Sequence, residues 1–371
     1  MNTSKLNTLL AVLLLLLVTV SCDDEIESTS GGESIVPEKF AVDIPESLTN
    51  SPAGGRIRSG LSADELNGNE IYEGLSSYIK IGEASAEIIE AIMQGISDIG
   101  ISGVIFIAYE SDEDGRVKNL TVTENSTFED KTYAYELTVT DADSEGNDDG
   151  GKAMQVFWNL EPIEGIAILK PFNIDRLKDA DAGDAIYRID YSEVETMGYD
   201  AHMIVSIANL PLANPLEDPY SVDNLKMFVG KTGDLVDVYG NSNHPNASFF
   251  TTDSGFNWAF VASGIDGEDM GVAEVGLPPN DLDETDRAVL LEDYAIQTVF
   301  SDQISATWPN LGQNLIDQYL LNTEAPGFFN EDGFVQGGTS PSSDYDPLVE
   351  RIQDLVPYNP LDIKNLTVEF K

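Results

Sequence analysis

Three aspartates in one acidic turn have the residue type and spacing of calcium ligands. Asp141 and Asp143 lie two residues apart, and Asp148 follows five residues later. Oxygens at alternating positions also surround the ion in the first part of a helix-loop-helix calcium loop, but the glutamate needed in the twelfth position is replaced here by Lys152. The turn therefore predicts either a looser calcium site or a solvated hairpin turn.

A second acidic turn and two histidines are the other candidates for metal binding. Asp179, Asp181 and Asp184 repeat the acidic pattern, and His202 and His244 are the two histidines of the chain. A zinc site needs three or four nitrogen or sulfur ligands, or carboxylates beside them. We therefore expect both histidines to be structural or exposed, and calcium to be the one cofactor that the sequence indicates.

Serine and aspartate motifs give only fragments of known catalytic patterns. Ser77 and Lys80 have the S-x-x-K spacing of penicillin-recognising serine enzymes, and Lys231 opens a K-T-G, but 81–230 lacks the S-x-N or Y-x-N element that must lie between them. Asp253 begins a single D-S-G, whereas an aspartic protease needs two carboxylates that share a proton. We expect a non-catalytic protein, with a carboxylate-based hydrolase as an alternative.

Four aromatic residues could form a ligand platform. Phe256, Trp258 and Phe260 alternate along one predicted strand and therefore share a face, and Trp158 lies in another strand. On an open face such rings bind a lipid or a glycan; on an inner face they belong to the core. We take the four as candidate ligand-binding residues, with burial as the alternative.

The start of the chain has the pattern of a secreted lipoprotein. Lys5 precedes an apolar stretch over 9–20, which is too short to span a bilayer and fits a signal peptide over 1–21. Thr19-Val20-Ser21-Cys22 resembles a bacterial lipobox, with Thr19 where that family usually has leucine. The resemblance implies a diacylglycerol-modified, N-acylated Cys22 that attaches the protein to a membrane through lipid chains such as palmitate. In the alternative, Cys22 merely follows an ordinary cleavage site.

An acidic stretch follows the cysteine directly. Residues 23–27 read DDEIE, and a Ser/Gly-rich segment follows to 34. The cluster is similar to the acidic export signal of Bacteroidota-type surface lipoproteins, which implies an outer membrane location with the protein exposed at the cell surface. Asp23 alone resembles the inner-membrane retention signal of enteric bacteria, so the periplasmic face stays an alternative. We expect 22–40 to be a flexible, self-repelling tether.

Composition places the rest of the chain among globular proteins. Of 371 residues 42% are hydrophobic, and 66 acidic against 19 basic residues give a net charge of −47. This charge repels phosphate backbones, which excludes nucleic acid as an expected partner. The single cysteine, at position 22, rules out an internal disulfide. We expect one globular body over 41–371, and the sequence does not indicate its oligomeric state.

Hydrophobic periodicity predicts an α+β fold. A capping box at Ser62 and apolar residues at helical spacing predict helices between 62 and 99, and helical spacing returns after 278. Between them a period of two, broken by Asp-Gly and similar turns, predicts consecutive strands, and a last strand is predicted over 363–370. The expected fold is a large antiparallel meander, in one interpretation a curved half-barrel, with helices from both chain ends packed on it. The strands are predicted at 104–110, 117–124, 132–139, 153–160, 164–170, 185–191, 201–208, 224–230, 234–239 and 256–262.

Together these patterns predict a lipid-anchored outer-membrane surface lipoprotein. In the leading interpretation it is a non-catalytic binding module that holds a lipid or other apolar ligand inside the curved sheet. The alternative is an adhesin or structural surface protein with a filled core. A cavity lined by Met154, Val156 and Trp158 would favour the first interpretation, and a filled core would favour the second.

Overall fold

The fold is described from a computed structural model of the chain. It describes residues 35–50, 68–98, 101, 103–112, 114–177, 183–195, 197–214, 220–247 and 255–371. The predicted signal peptide, Cys22 and the acidic stretch lie outside these residues, as does the predicted capping box at Ser62.

The chain divides into two compact units, where the sequence predicted one body over 41–371. The first unit contains Val42–Glu83 and Leu212–Leu366. The second contains 35–41, Ala84–Pro211 and Thr367–Lys371. Each unit is built from neighbouring strands of the meander and from helices that pack on them.

The described residues form a thirteen-strand antiparallel sheet in which the strands follow one another in chain order. This confirms the predicted α+β meander. The strands of the second unit are β1 (Ile105–Glu110), β2 (Val117–Phe128), β3 (Lys131–Asp141), β4 (Lys152–Leu160), β5 (Ile163–Leu169), β6 (Ile186–Ser192) and β7 (Ala201–Ala208). Those of the first unit are β8 (Leu225–Thr232), β9 (Leu235–His244), β10 (Phe256–Ile265), β11 (Met270–Gly276), β12 (Gly327–Asn330) and β13 (Gly333–Gly337).

Helices precede β1 and follow β11, as predicted, and β12 and β13 lie among the later helices. The α-helices are α1 (Glu46–Thr49), α2 (Gly68–Asp98), α3 (Pro171–Ile174), α4 (Ile296–Thr307), α5 (Gln313–Tyr319), α6 (Asp346–Ile352) and α7 (Pro360–Lys364). A π-helix covers Val289–Asp293, and short 3-10 helices cover Ala142–Ser144 and Ser343–Tyr345.

Helix α2 is continuous over 31 residues although it contains glycines that weaken a helix prediction. Two of these glycines let β-strand side chains approach the helix closely. A Cβ at Gly74 would lie 3.2 Å from the indole ring of Trp258, and a Cβ at Gly82 would overlap the methyl group of Met227. The glycines are therefore explained by packing within the first unit.

The first unit has a core between β10, β11 and the helices that follow the sheet. Helix α6 lies on β10 and β11, and its Leu348 and Ile352 are buried. Burial of such side chains stabilises the fold by about 1.5–3 kcal/mol each. The core cluster consists of Val261, Val272, Leu290, Leu291, Phe328, Tyr345, Leu348, Ile352 and Leu355.

The second unit buries the predicted alternating face of β3 and β4. Leu137 pairs with Val156 and Val139 pairs with Met154 across the two strands, and all four side chains are buried. A glycine in β5 makes room for a ring from the start of the described chain, because a Cβ at Gly165 would lie 2.8 Å from the Cζ of Phe40. The period of two therefore identified the buried face of β3, whereas β4 is buried on both faces, with Phe157 buried as fully as Val156.

The predicted strand over 363–370 is wrong. Residues Pro360–Lys364 form helix α7, and no strand follows among the described residues. The side chain of Asn359 caps this helix by accepting a hydrogen bond from the N–H of Leu361 at 3.0 Å. Asn224 then fixes the helix by donating to the carbonyl oxygen of Ile363 at 3.0 Å. The Asn-Pro start signal therefore outweighs the alternating pattern that follows it.

Candidate functional site

The four candidate ligand-binding aromatics are buried. Trp158 donates its indole N–H to the carbonyl oxygen of Ile35 at 2.6 Å and stacks on Tyr135, with ring centroids 5.5 Å apart. Phe256, Trp258 and Phe260 lie in β10 and are buried in the first unit. None of these four rings forms a solvent-exposed platform in this structure.

Met154 and Val156, which with Trp158 would have lined the predicted cavity, are fully buried. Both side chains belong to the packed face of β4 in the second unit. With the N–H of Trp158 bonded to protein, this face has the character of a filled core.

His244 is a buried structural residue of the first unit. One ring nitrogen, Nδ1, lies 2.8 Å from the carbonyl oxygen of Tyr220, and Nε2 lies 2.7 Å from the hydroxyl of Ser242. The ring also stacks on Phe256 with centroids 5.0 Å apart. Burial lowers the pKa of His244 to about 4, so the imidazole is neutral at pH 7. Burial also lowers the pKa of the second histidine, His202.

The three aspartates of the predicted calcium turn do not converge on one point. Asp141 is buried, and its carboxylate accepts hydrogen bonds from Arg116 at 2.8 and 3.0 Å and from Arg176 at 3.2 Å. The Asp143 side chain is 68% exposed and Asp148 is exposed. Among the described residues, no group of three or more histidine, cysteine or acidic side chains is arranged to hold a metal ion.

Arginine groups occupy the carboxylate oxygens of Asp141 that an ion would need, so this structure places Asp141 in ion pairs and not in a cluster of calcium ligands. Of the second acidic turn, Asp179 and Asp181 lie outside the described residues. Asp184 is exposed.

Asp141 belongs to an ion network at the β1–β2 hairpin, which we call the hairpin network: Asp114, Arg116, Lys118, Asp141 and Arg176. Lys118 is buried and its Nζ lies 2.9 Å from Asp114 and 3.5 Å from Asp141. Asp114 also accepts hydrogen bonds from the backbone N–H groups of Arg116 and Arg176, each at 3.0 Å. These contacts fix the turn between β1 and β2.

The electrostatics of the hairpin network favour ionised carboxylates. Burial alone would raise the pKa of Asp141, but hydrogen bonds from Arg116, the charge of Lys118 and hydrogen bonds from Arg176 lower it below its usual range. The pKa of Asp114 is lowered in the same way, with burial opposed by backbone hydrogen bonds and by Lys118. Both groups are structural anions at neutral pH.

Other carboxyls of the second unit follow the same pattern. In Glu129 the hydrogen bonds from Arg188 are the main cause of a lowered pKa. In Glu136, Asp149 and Glu164, burial would raise the pKa, but hydrogen bonds outweigh this effect and lower it. In each case one of these hydrogen bonds comes from a lysine. The four carboxyls are Glu129, Glu136, Asp149 and Glu164. A general acid needs a carboxyl with a raised pKa. Among the described carboxyls whose pKa is clearly shifted, only that of Asp223 is raised, and the cause is burial.

The fragments of catalytic motifs lie in ordinary structural positions. Ser77 is in helix α2 and Lys80, one turn later, is exposed. Lys231 is at the end of β8, where its Nζ lies 2.8 Å from Asp266, and Gly233 has a positive φ in the β8–β9 turn. Asp253 lies outside the described residues.

Strand β1 and the residue before it carry apolar side chains that are exposed. Val104 and Phe106 are 66% and 65% exposed, and Tyr109 is 42% exposed. The strand pairs with β2 on one side, and no strand of the described chain pairs with its other side. Tyr109 pairs with Lys118 of β2, so this strand lies next to the ion network at the β1–β2 hairpin.

The free side of β1 presents backbone groups as well. The N–H of Ser111 donates to the carbonyl oxygen of Arg116 at 2.9 Å, which makes these residues a hydrogen-bonded pair of the β1–β2 ladder. Hydrogen-bonded and non-hydrogen-bonded pairs alternate along an antiparallel ladder. The N–H and C=O groups of Phe106, Ala108 and Glu110 therefore point away from β2. We call these groups, together with the three exposed apolar side chains, the β1 edge.

The β1 edge lacks the usual protection of edge strands. Lysine, proline and bulges normally prevent edges from pairing with other chains. The strand sequence IFIAYE has one charge, Glu110, no proline and no glycine, and its ladder with β2 has no register shift. The sequence predicted a strand over 104–110 but did not identify its exposure. The exposed edge could have been predicted from the position of this strand, because the first strand of a consecutive meander lies at the edge of the sheet.

None of the helices within the described residues is long and apolar enough to cross a membrane. Comparisons with protein family models, curated proteins and solved structures found no match to this chain.

Proposed function

We propose that this chain is a lipid-anchored outer-membrane surface lipoprotein that acts as a non-catalytic interaction module. The lipobox-like segment that ends at Cys22 and the acidic stretch after it support the anchor and the location. The ion-paired carboxyls with lowered pKa values stay ionised and bound to basic side chains, which is a structural role.

Between the two non-catalytic interpretations, the packing favours an adhesin-like protein over a carrier of an apolar ligand. The aromatic residues that could have lined a ligand site are part of the core, and Trp158 has its N–H bonded to Ile35. None of the four candidate aromatic residues has an exposed ring that could bind a lipid or a glycan.

The observation that carries the proposal is the β1 edge. Exposed apolar strands with free backbone groups are avoided in soluble proteins unless another chain covers them. Here the hairpin network fixes the turn that follows the strand, so the exposed side of β1 is supported at this end. A protein displayed on a membrane by a lipid would use such a surface to bind a macromolecular partner.

Photo-crosslinking from the β1 edge tests this proposal. The full chain carries benzoylphenylalanine at Phe106, which is 65% exposed, and is expressed in its native cells. We expect discrete adducts on irradiation, because a bound partner lies against this ring. A matched variant carries the same group at Leu321, which is 69% exposed in the first unit, and is expected to give none.

The Cys22→Ser variant supplies the control for anchoring. It should lose palmitate labelling, and the Phe106 adducts should disappear from the membrane fraction. Equal adducts at Phe106 and Leu321 would contradict an interaction role for the β1 edge, and palmitate labelling that survives Cys22→Ser would contradict the anchor.

A further inference from the structure

We propose that the β1 edge binds an extended peptide segment in which apolar residues alternate with lysine or arginine, added as a strand antiparallel or parallel to β1. This inference rests on the proposed interaction function and names the chemistry of the partner. It follows from three properties of the edge: its free backbone groups, the two faces of its side chains and the charge of the chain.

Backbone hydrogen bonds supply the first requirement. The outward N–H and C=O groups of Phe106, Ala108 and Glu110 match the repeat of a second strand, which offers a donor and an acceptor at every other residue. No residue of β1 is a proline, so every outward position keeps its donor. An added strand would therefore form a regular ladder on this side.

The side chains of β1 require different residue types on the two faces. Ile105 and Ile107 are paired with the buried Val122 and Leu120, so this face continues the core of the second unit and needs apolar neighbours. Because side chains alternate across a strand, a partner that presents apolar residues here presents its other residues on the opposite face.

On that opposite face the exposed groups favour cations. Phe106 presents an exposed ring, and Glu110 on the same face presents an exposed carboxylate. A lysine or arginine beside them makes a cation–π contact with the ring or an ion pair with the carboxylate. The two faces of β1 together therefore select an alternating apolar and basic segment.

The charge of the chain distinguishes this partner from a second copy. The net charge is −47, and Asp112 and Glu124 are exposed near the two ends of the β1–β2 hairpin. Two copies that paired through β1 would bring like charges together, whereas a basic segment is attracted over a distance set by the ionic strength. Charge complementarity therefore favours a cationic strand.

Binding of a defined peptide to the full chain tests the inference. The probe is acetyl-(Val-Lys)4-amide with a fluorescent label, and its anisotropy is followed at two salt concentrations. We expect the Ala108→Pro variant to bind at least about tenfold more weakly, because the ring removes one outward donor and obstructs the added strand. Since that N–H points away from β2, the β1–β2 ladder and the far-ultraviolet circular dichroism should be retained.

Two further variants keep the test decisive. Ala108→Val preserves the outward N–H and raises β-propensity, so it should bind the probe at least as well as the wild type. Glu110→Lys should weaken binding of (Val-Lys)4 and strengthen binding of (Val-Glu)4.

Equal binding by wild type and Ala108→Pro would overturn the inference in favour of adsorption to the acidic surface. A dimer of the wild type that dissociates in Ala108→Pro would overturn it in favour of a second copy. If Phe106 gives adducts in cells but the probe does not bind, only the partner chemistry fails.

Discussion

Replacing Asp141 by alanine is expected to lower the free energy of unfolding by about 3–5 kcal/mol, the usual cost of removing one partner from a buried ion pair. The carboxylate is fully buried and accepts hydrogen bonds from Arg116 and Arg176. It also neutralises Lys118, whose Nζ is 3.5 Å away and is itself buried. Without it, three cationic groups face one another and share Asp114 as the remaining buried anion.

Asp143 provides the matched control for this experiment. It lies two residues from Asp141 in the same turn, its side chain is 68% exposed, and it lies 3.9 Å from Arg116. Alanine at this position should change the free energy of unfolding by about 0.5 kcal/mol or less, as is usual for exposed ion pairs.

Urea unfolding measures both variants. Trp158 belongs to the second unit and serves as the local probe when Trp258 and Trp308 are replaced by phenylalanine. An Asp141→Ala variant as stable as Asp143→Ala would show that the hairpin network contributes no net stability.

Lowering the pH from 7 to 5 is expected to destabilise the protein by about 2 kcal/mol through His244 alone. The pKa of His244 is about 4 in the folded chain, whereas the pKa of an exposed histidine is 6.5. The unfolded chain therefore binds the proton more readily, so the contribution is fully present above pH 6.5 and is lost as the pH falls toward 4. Carboxyls with ordinary or lowered pKa values titrate mostly below this range.

The His244→Gln variant isolates this effect, because glutamine is uncharged and can still form hydrogen bonds. Most of the wild-type decrease in the free energy of unfolding between pH 7 and 5 should be absent from this variant, and the remainder should come from His202, whose pKa is also lowered by burial. In His202→Gln most of the wild-type dependence should remain, since His202 is less buried than His244. A wild type without pH dependence in this range would contradict the buried, neutral state of His244.

Much of the sheet could be predicted from the sequence because turn residues separate the strands and some strands, such as β3, alternate buried and more exposed side chains. Strand β7 was predicted at its observed bounds of 201–208, and the buried residues of β3 follow the period of two, whereas β4 is buried on both faces. Helix α2 and strands β12 and β13 were harder to predict because they contain glycines, which lower helix and strand propensity. Packing requires glycine at these positions. Gly327, for example, lies directly against the ring of Tyr72.

The candidate site was harder to predict because its chemistry depends on contacts between distant residues. The spacing of Asp141 and Asp143 indicates a calcium turn, but Arg176 reaches Asp141 from 35 residues away. The residues of β1 were predicted as a strand, and only the strand order shows that one side of it is free. The lipobox-like segment at Cys22 is a sequence signal and stays a prediction.

Residue-resolved amide hydrogen exchange of the full chain is the most direct test that the β1 edge is free. The outward N–H groups of Phe106, Ala108 and Glu110 should exchange at nearly unprotected rates. The inward N–H groups of Ile107 and Tyr109, bonded to β2, should exchange at least about tenfold more slowly. Uniform protection along β1 would show that another segment already covers this edge, and would contradict its role as an open binding surface.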